Sequence, residues 1–270
     1  MSTGSPYAEA FKRDGFVLIP KAIDHRVIGA IRREWEVFTR KPCVNLLPAD
    51  APAACFWRHV PGERKRMRPL SELPGLEHFA LSGAATQYAR QLALGLGFKR
   101  GDLRLLETVI FEKPPRQGGA LAWHTDASFF PFFPHNQLAA WIPLDPVDRL
   151  NGTIQYAAGS QHTQALTPVD LHTGEPIGEP EDGLVPADPA AHGHEVVTLA
   201  MTPGDIAFHA ALTWHASMPN PSERLRRALS LRFLLGRTRY APRAGTTFAM
   251  CQQAAVAEGE PIRGPSFPVV

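Results

Sequence analysis

The spacing of apolar and polar positions changes character near residue 103. Before it, "DHRVIGAIRREWEVFTR" repeats Ile28, Ile31, Trp35 and Phe38 at helical spacing, with Asp24 suited to cap the N-terminus. The short run "FVLIP" ahead of it predicts a strand, and "LSGAATQYARQLALGLG" predicts a second helix ending at a glycine-containing turn. Beyond residue 103, short apolar or alternating runs recur between Pro, Gly and Asn: "LRLLETVIF", "QLAAWIPL", "GTIQYAA", "EVVTLAM", "DIAFH" and "RRALSLRFLL". Many short strands with no intervening helices predict an antiparallel sandwich or barrel, with the helices packed outside one sheet.

One stretch breaks the rhythm. Residues 163–194 are rich in Pro, Gly, Asp and Glu and hold little sheet; a loop of this length is either a functional lid or a disordered insertion. No internal repeat or low-complexity tract is present, and the expectation is a single domain over residues 1–270 with its core at about 11–235.

Composition narrows the function. An apolar share of 44% and a charged share of 20% are ordinary for a soluble globular protein. A net charge of +2, from 28 basic and 26 acidic residues, argues against a nucleic-acid binder that depends on phosphate neutralisation. Cys43, Cys55 and Cys251 are odd in number and widely spaced, so neither a disulfide framework nor a thiolate zinc site is readable. No secretory apolar core opens the chain, and no run of about 18 apolar residues occurs to span a bilayer. A cytoplasmic protein with no membrane partner is expected.

The chemistry concentrates in "LAWHTDASFFPFFPHNQ". At the end of an extended strand, residues two apart point to the same side, so His124 and Asp126 converge. An imidazole nitrogen and a carboxylate oxygen so placed can fill two adjacent positions of an octahedral metal, and a second imidazole would complete a facial triad with three positions open. The pair also fits a buried hydrogen-bonded contact or a turn. A second cluster, "GDIAFHAALTWHASMPNPSERLRRALSLRF", offers His215 after a strand-like run. In the strand that follows it, alternation puts Arg226, Ala228, Ser230 and Arg232 on one face and Arg227, Leu229, Leu231 and Phe233 on the other. If the first face lines a barrel, its buried guanidinium needs an anion, and a dicarboxylate bound to the metal at one end could supply it through a bidentate fork.

These clusters resemble the C-terminal signature of the phytanoyl-CoA dioxygenase family: a glycine, Asp205, His215, "AS", an asparagine, and Arg226 eleven residues after the histidine. Upstream, "FEKPP", "WHTD", the phenylalanine and proline run, Trp141 and "NGTIQYAAGSQH" resemble that family's pattern in order and spacing, and "RDGFVLIP" resembles its opening. The resemblance implies a mainly β, double-stranded β-helix (jelly-roll, cupin-like) fold with flanking helices. It makes His124, Asp126 and His215 the ligands of Fe(II). It assigns Arg226 to the distal carboxylate of 2-oxoglutarate, with Ser217 and Trp141 lining that pocket. Dioxygen would be the second co-substrate, and succinate and carbon dioxide would be released. A carboxylate at Asp126 favours hydroxylation, since relatives that halogenate usually have Gly or Ala there. Desaturation, epoxidation or ring formation remain sequels open to the same iron.

Other residues carry weaker expectations. Phe130 and Phe132 are candidate walls of the substrate cavity. The run "WRHVPGERKRMRPL" reads as a solvated loop or, more sharply, as a grip in which Arg64 and Arg66 hold an anionic or carrier-linked small-molecule substrate. His192 and His194 read as solvated loop residues and His209 as ordinary packing, while His162, His172 and His135 fall in rim or loop positions. Two rivals stand beside the oxygenase: a cupin-like isomerase or lyase using the same ligands without 2-oxoglutarate, and a binding protein with vestigial ligands. The ending "SFPVV" is not a peroxisomal address, which points away from a fatty-acid role.

Overall fold

Three β-sheets and four α-helices make up the described residues of the computed structural model, which are 6–39, 56–60, 63–67, 73–116, 119–180, 182–243 and 256–270, with backbone only at 38–39, 56–60 and 63–67. The three cysteines lie outside them.

Helix α1 (Pro6–Asp14) leads into strand β1 (Phe16–Ile19), and α2 (His25–Thr39) follows. Ile28, Ile31 and Trp35 are buried as their spacing predicts, and Asp24 Oδ1 accepts from the Arg26 backbone N–H at 2.7 Å. The second predicted helix, residues 81–97, corresponds to α4 (Ala84–Gly95), and a further helix, α3 (Pro74–Ser82), precedes it. α3 ends and α4 begins at Gly83, whose extended backbone (φ −70°, ψ −179°) belongs to neither. The basic run also departs from the loop reading: β2 (Phe56–Val60) and β3 (Glu63–Met67) form an antiparallel hairpin at a sheet edge. Its arginines and lysine hide the alternation that normally marks a strand.

The strands after residue 103 follow the apolar runs. They are β4 (Leu103–Lys113), β5 (Leu121–His124), β6 (Phe132–Phe133), β7 (Gln137–Pro143), β8 (Ile154–Ala157), β9 (Val196–Thr198), β10 (Ile206–Ala210), β11 (His215–Ser217), β12 (Arg226–Leu235) and β13 (Arg239–Tyr240). A seven-stranded sheet runs β1-β10-β7-β12-β4-β3-β2, a four-stranded sheet runs β5-β11-β8-β9, and β13 pairs with β6. Every pairing between named strands is antiparallel, as hairpin and Greek-key connections require.

The two faces of the large sheet have separate duties. Leu229, Leu231 and Phe233 of β12 join Ile28, Ile31, Trp35, Leu76, Phe79 and Leu92 in the main core, so this face is covered by the helices. The opposite face carries Ala228, Ala207 and Trp141, which pack with Ile154 and Tyr156 of the smaller sheet. The inner residues include charged ones, and these build the site.

The 163–194 segment is tied to the strand that carries His124. Ala122 N donates to Leu171 O at 2.8 Å, Thr125 Oγ1 donates to Ala165 O at 2.8 Å, and Ala165 and Val185 pack with Trp214. The other sides of this loop are satisfied by local turns, such as Asp170 Oδ1 accepting from the backbone of His172 and Thr173.

Candidate metal centre

His124 and His215 are cross-strand partners in the β5–β11 pair, which brings their rings to 4.2 Å between centroids. Strand β5 stops at His124; Thr125 stays extended (φ −111°, ψ 146°), and Asp126 opens a 3-10 turn held by Ser128 N donating to Thr125 Oγ1. His124 and Asp126 therefore converge through one extended residue, although Asp126 lies off the strand. The ligand atoms of His124, Asp126 and His215 all fall within 4.8 Å of one another, and all three residues are buried.

The hydrogen bonds fix which atoms are offered. His124 Nδ1 lies 2.7 Å from Ala122 O, and His215 Nδ1 lies 2.9 Å from Thr213 O. A carbonyl only accepts, so each Nδ1 carries a proton, and in the neutral ring Nε2 keeps the lone pair. His215 Nε2 is 4.0 Å from Asp126 Oδ1. Burial and the neighbouring imidazoles of His124 and His209 push the His215 pKa well below the ordinary histidine value, so its ring is neutral. Burial alone would raise Asp126, but the Arg232 charge and the nearby imidazoles outweigh it and hold the carboxyl ionised. Two imidazole nitrogens and one carboxylate, converging in a buried pocket, fit a divalent first-row metal that keeps open positions.

Four neighbours complete the centre. Arg232 grips Asp126 with Nε 3.1 Å from Oδ2 and Nη2 3.1 Å from Oδ1, and its Nη1 bonds to Glu107 Oε1. His209, expected to be ordinary packing, stands inside the centre. Its ring is 4.5 Å from that of His215, Nδ1 is 3.0 Å from the Tyr156 hydroxyl, and Nε2 is 3.4 Å from Asp126 Oδ2. That last distance is a long contact rather than a formed hydrogen bond. Burial raises the Tyr156 pKa well above the ordinary tyrosine value, so its hydroxyl keeps its proton.

The residues expected to line a cofactor pocket also meet. Arg226, 2% exposed, has its guanidinium carbon 5.9 Å from the centre of the Trp141 ring. Strand register sets Arg226 opposite Lys113, a fully buried lysine. Lys113 Nζ donates to Ser217 Oγ at 2.7 Å and to Met218 O at 2.6 Å. Gly152 (φ +88°) closes this corner, since a Cβ there would stand 2.9 Å from Lys113 Cδ and 3.6 Å from Arg226 Nε. Lys113 was visible in "FEKPP" but without a role; its inward position follows only from the register with β12.

The proposed substrate residues fall in different surroundings. Phe132 is 1% exposed in a cluster with Leu106, Leu234 and Phe267. Phe130 stacks on Phe132 and lies 5.3 Å from the Arg232 guanidinium carbon. Phe129, which the sequence did not single out, is half-buried and sets its edge against His124 at 5.7 Å. Arg64 and Arg66 take register positions opposite Glu112 and Ile110, whereas Lys65 and Met67 lie opposite Phe111 and Val109. Glu112 and Ile110 belong to the helix-facing row, because Trp35 Nε1 donates to Glu112 Oε1 and Ile110 packs in the main core. The side chains of Arg64 and Arg66 lie outside the described residues, and only their backbone register is given. His194 is half-buried rather than solvated, with Nδ1 3.0 Å from Ala158 O and its ring edge-on to Trp214; His192 is exposed as expected.

A jelly roll with two imidazoles and a carboxylate at the strand ends defines a class of metal-centred oxygenase folds. The chain belongs to the phytanoyl-CoA dioxygenase (PhyH) family, whose model matches residues 11–228. Peroxisomal phytanoyl-CoA dioxygenase of Rattus norvegicus is 26% identical over 246 residues, covering 88% of this chain and 70% of the rat protein. Among solved structures, the non-heme alpha ketoglutarate dependent carbocyclase SnoK from nogalamycin biosynthesis superposes with a TM-score of 0.73 at 21% identity, over 100% of this chain and 96% of its own. The epimerase SnoN in complex with Fe3+, alpha ketoglutarate and nogalamycin RO gives 0.72 at 22% identity, over 97% and 96%. The jelly-roll fold and the expectation of iron and 2-oxoglutarate as cofactors are borne out. Among the described residues no helix is long and apolar enough to cross a membrane.

Proposed function

We propose that this protein is an Fe(II)- and 2-oxoglutarate-dependent dioxygenase that hydroxylates an unactivated carbon of a small molecule in the cytoplasm. The observation that carries the reading is the convergence of His124 Nε2, His215 Nε2 and the Asp126 carboxylate in one buried pocket. When bound, iron with 2-oxoglutarate and dioxygen supplies the oxidising power to remove hydrogen from such a carbon, releasing succinate and carbon dioxide.

The protein's part is to bind, orient and exclude water. His124, Asp126 and His215 would hold the metal by one face. Arg226 would take the distal carboxylate of 2-oxoglutarate, with Trp141 walling that end and Ser217 donating a hydroxyl that Lys113 fixes in place. Burial of the three ligands keeps the metal face dry, which strengthens every charge interaction there. Phe129 and Phe130 are the nearest rings for a substrate wall, and the segment at 163–194, anchored to β5, would act as a lid.

The test is product analysis. Incubation with Fe(II), 2-oxoglutarate and a panel of small metabolites should yield one succinate per oxidised substrate and a product that gains one oxygen atom. A second reading, oxidative ring closure or desaturation at the same iron, is favoured by the likeness to a carbocyclase. It predicts products lacking two hydrogens with no oxygen gained. Substrate turnover that proceeds without 2-oxoglutarate would instead indicate an isomerase or lyase.

A further inference from the structure

One row of the large sheet runs Glu107, Arg232, Ala139, His209 and Phe16 through successive registers of β4, β12, β7, β10 and β1. Residues directly opposite share a face, and Asp126 sits against this row. A β-bulge follows immediately, where Arg232 pairs with Glu107 but Phe233 pairs with Leu105. Bulges re-aim side chains next to functional sites.

A carboxylate offers about four lone-pair positions, two on each oxygen. Arg232 Nε occupies one on Oδ2, and Arg232 Nη2 occupies one on Oδ1. His209 Nε2 is buried, has no formed hydrogen bond, and lies 3.4 Å from Oδ2. The Tyr156 hydroxyl sits at Nδ1, and a carboxylate can only accept, so the consistent tautomer has Tyr156 donating to Nδ1 and the proton on Nε2 facing Oδ2. One Oδ2 position is then taken by Arg232 Nε, and His209 Nε2 crowds the other at 3.4 Å without closing a hydrogen bond. What remains is a single position on Oδ1, the oxygen that faces His215 Nε2 at 4.0 Å.

We infer that Arg232 and His209 form a cradle that holds Asp126 so that it can ligate only through Oδ1, which keeps the carboxylate from chelating the metal and preserves three open positions. Both are positioning residues, and Tyr156 and Glu107 orient them from behind. This inference rests on the proposed metal site. It predicts a function for two polar residues that neither the ligand set nor the 2-oxoglutarate pocket explains.

The test uses Zn(II) alone as the probe, on the full chain labelled with carboxyl-13C aspartate. Metal-minus-apo infrared difference spectra report denticity, because a monodentate carboxylate has widely separated symmetric and asymmetric stretches and a chelating one has closely spaced stretches. Wild type should show the wide separation, as should His209→Gln, which keeps an N–H donor near the Nε2 position. His209→Phe and Arg232→Met should show narrowed or mixed bands and bind Zn(II) about tenfold more weakly, the lower end of the usual effect of outer partners on metal affinity. Should Arg232→Met fail to fold, because Glu107 then loses its ion pair, His209→Phe and His209→Gln carry the test. Wide separation and unchanged affinity in His209→Phe would overturn the cradle while leaving the metal site intact. Absence of Zn(II) binding in wild type would overturn the metal site itself and the cradle with it.

Discussion

Lys113 Nζ stands 2.7 Å from Ser217 Oγ, and strand register sets Lys113 opposite Arg226, so two cationic residues of neighbouring strands share one buried corner with the Trp141 ring. A corner this positive and this enclosed suits an anion that brings its own charge, as the distal carboxylate of a 2-oxo diacid does. The distance from this corner to the ligand triad is spanned by the inner face of β12.

Replacing Lys113 with Met should uncouple this corner. The Met218 carbonyl loses its donor, which costs about 1–3 kcal/mol, and the Ser217 hydroxyl loses its fixed orientation. Steady-state kinetics should show a raised KM for 2-oxoglutarate with a smaller effect on kcat; an unchanged KM would remove Ser217 from the pocket.

At Gly152, alanine meets two obstacles. The backbone lies at φ +88°, and the new Cβ would approach Met218 O to 3.0 Å. Strained conformations of this type cost about 1–3 kcal/mol. Thermal unfolding should shift down by several degrees, with weaker 2-oxoglutarate binding because Lys113 and Arg226 are displaced.

Stability and chemistry separate at Arg227 and Asp145. Arg227 Nε and Nη2 each lie 2.8 Å from the Asp145 carboxylate, on the helix side of β12. Asp145→Ala leaves a largely buried guanidinium with only Glu36 at 2.8 Å. Breaking such a pair costs about 3–5 kcal/mol. Urea unfolding should register that loss while turnover per folded molecule is retained; lost turnover in folded protein would place Asp145 in the site.

Wild-type protein in chloride buffer should form no chlorinated product, because in the proposed centre Asp126 would take the position that a halide needs. Mass spectrometry for chlorine isotope pairs checks this, and chlorinated product would contradict Asp126 as a ligand.

Much of the centre was legible in the sequence because its parts are local. His124 and Asp126 are two residues apart, and the alternation of "RRALSLRF" sorted Arg226 from Arg227 correctly, as the core packing of Leu229 and Leu231 shows. His209 was read as ordinary packing and Arg232 was placed only on its strand face, because their meaning lies in a cross-strand row joining five strands, and no local pattern reports which strands become neighbours. The hairpin β2–β3 escaped for a different reason. Its strand character comes from pairing with β4, while its own residues read as a charged loop. If the substrate is anionic, charge reversal at Arg64 and Arg66 should raise substrate KM; an unchanged KM would reject that grip.

The most direct measurement of the central claim is an anaerobic visible titration of the apo-protein with Fe(II) and then 2-oxoglutarate, for wild type and Arg226→Ala. A weak charge-transfer band that needs both additions is the expected result. Arg226→Ala should require at least about tenfold more 2-oxoglutarate, since losing a buried charged partner costs roughly 2–5 kcal/mol and each 1.4 kcal/mol is tenfold. Folded wild-type protein that gives no band, or an Arg226→Ala variant that saturates at the wild-type concentration, would contradict that claim.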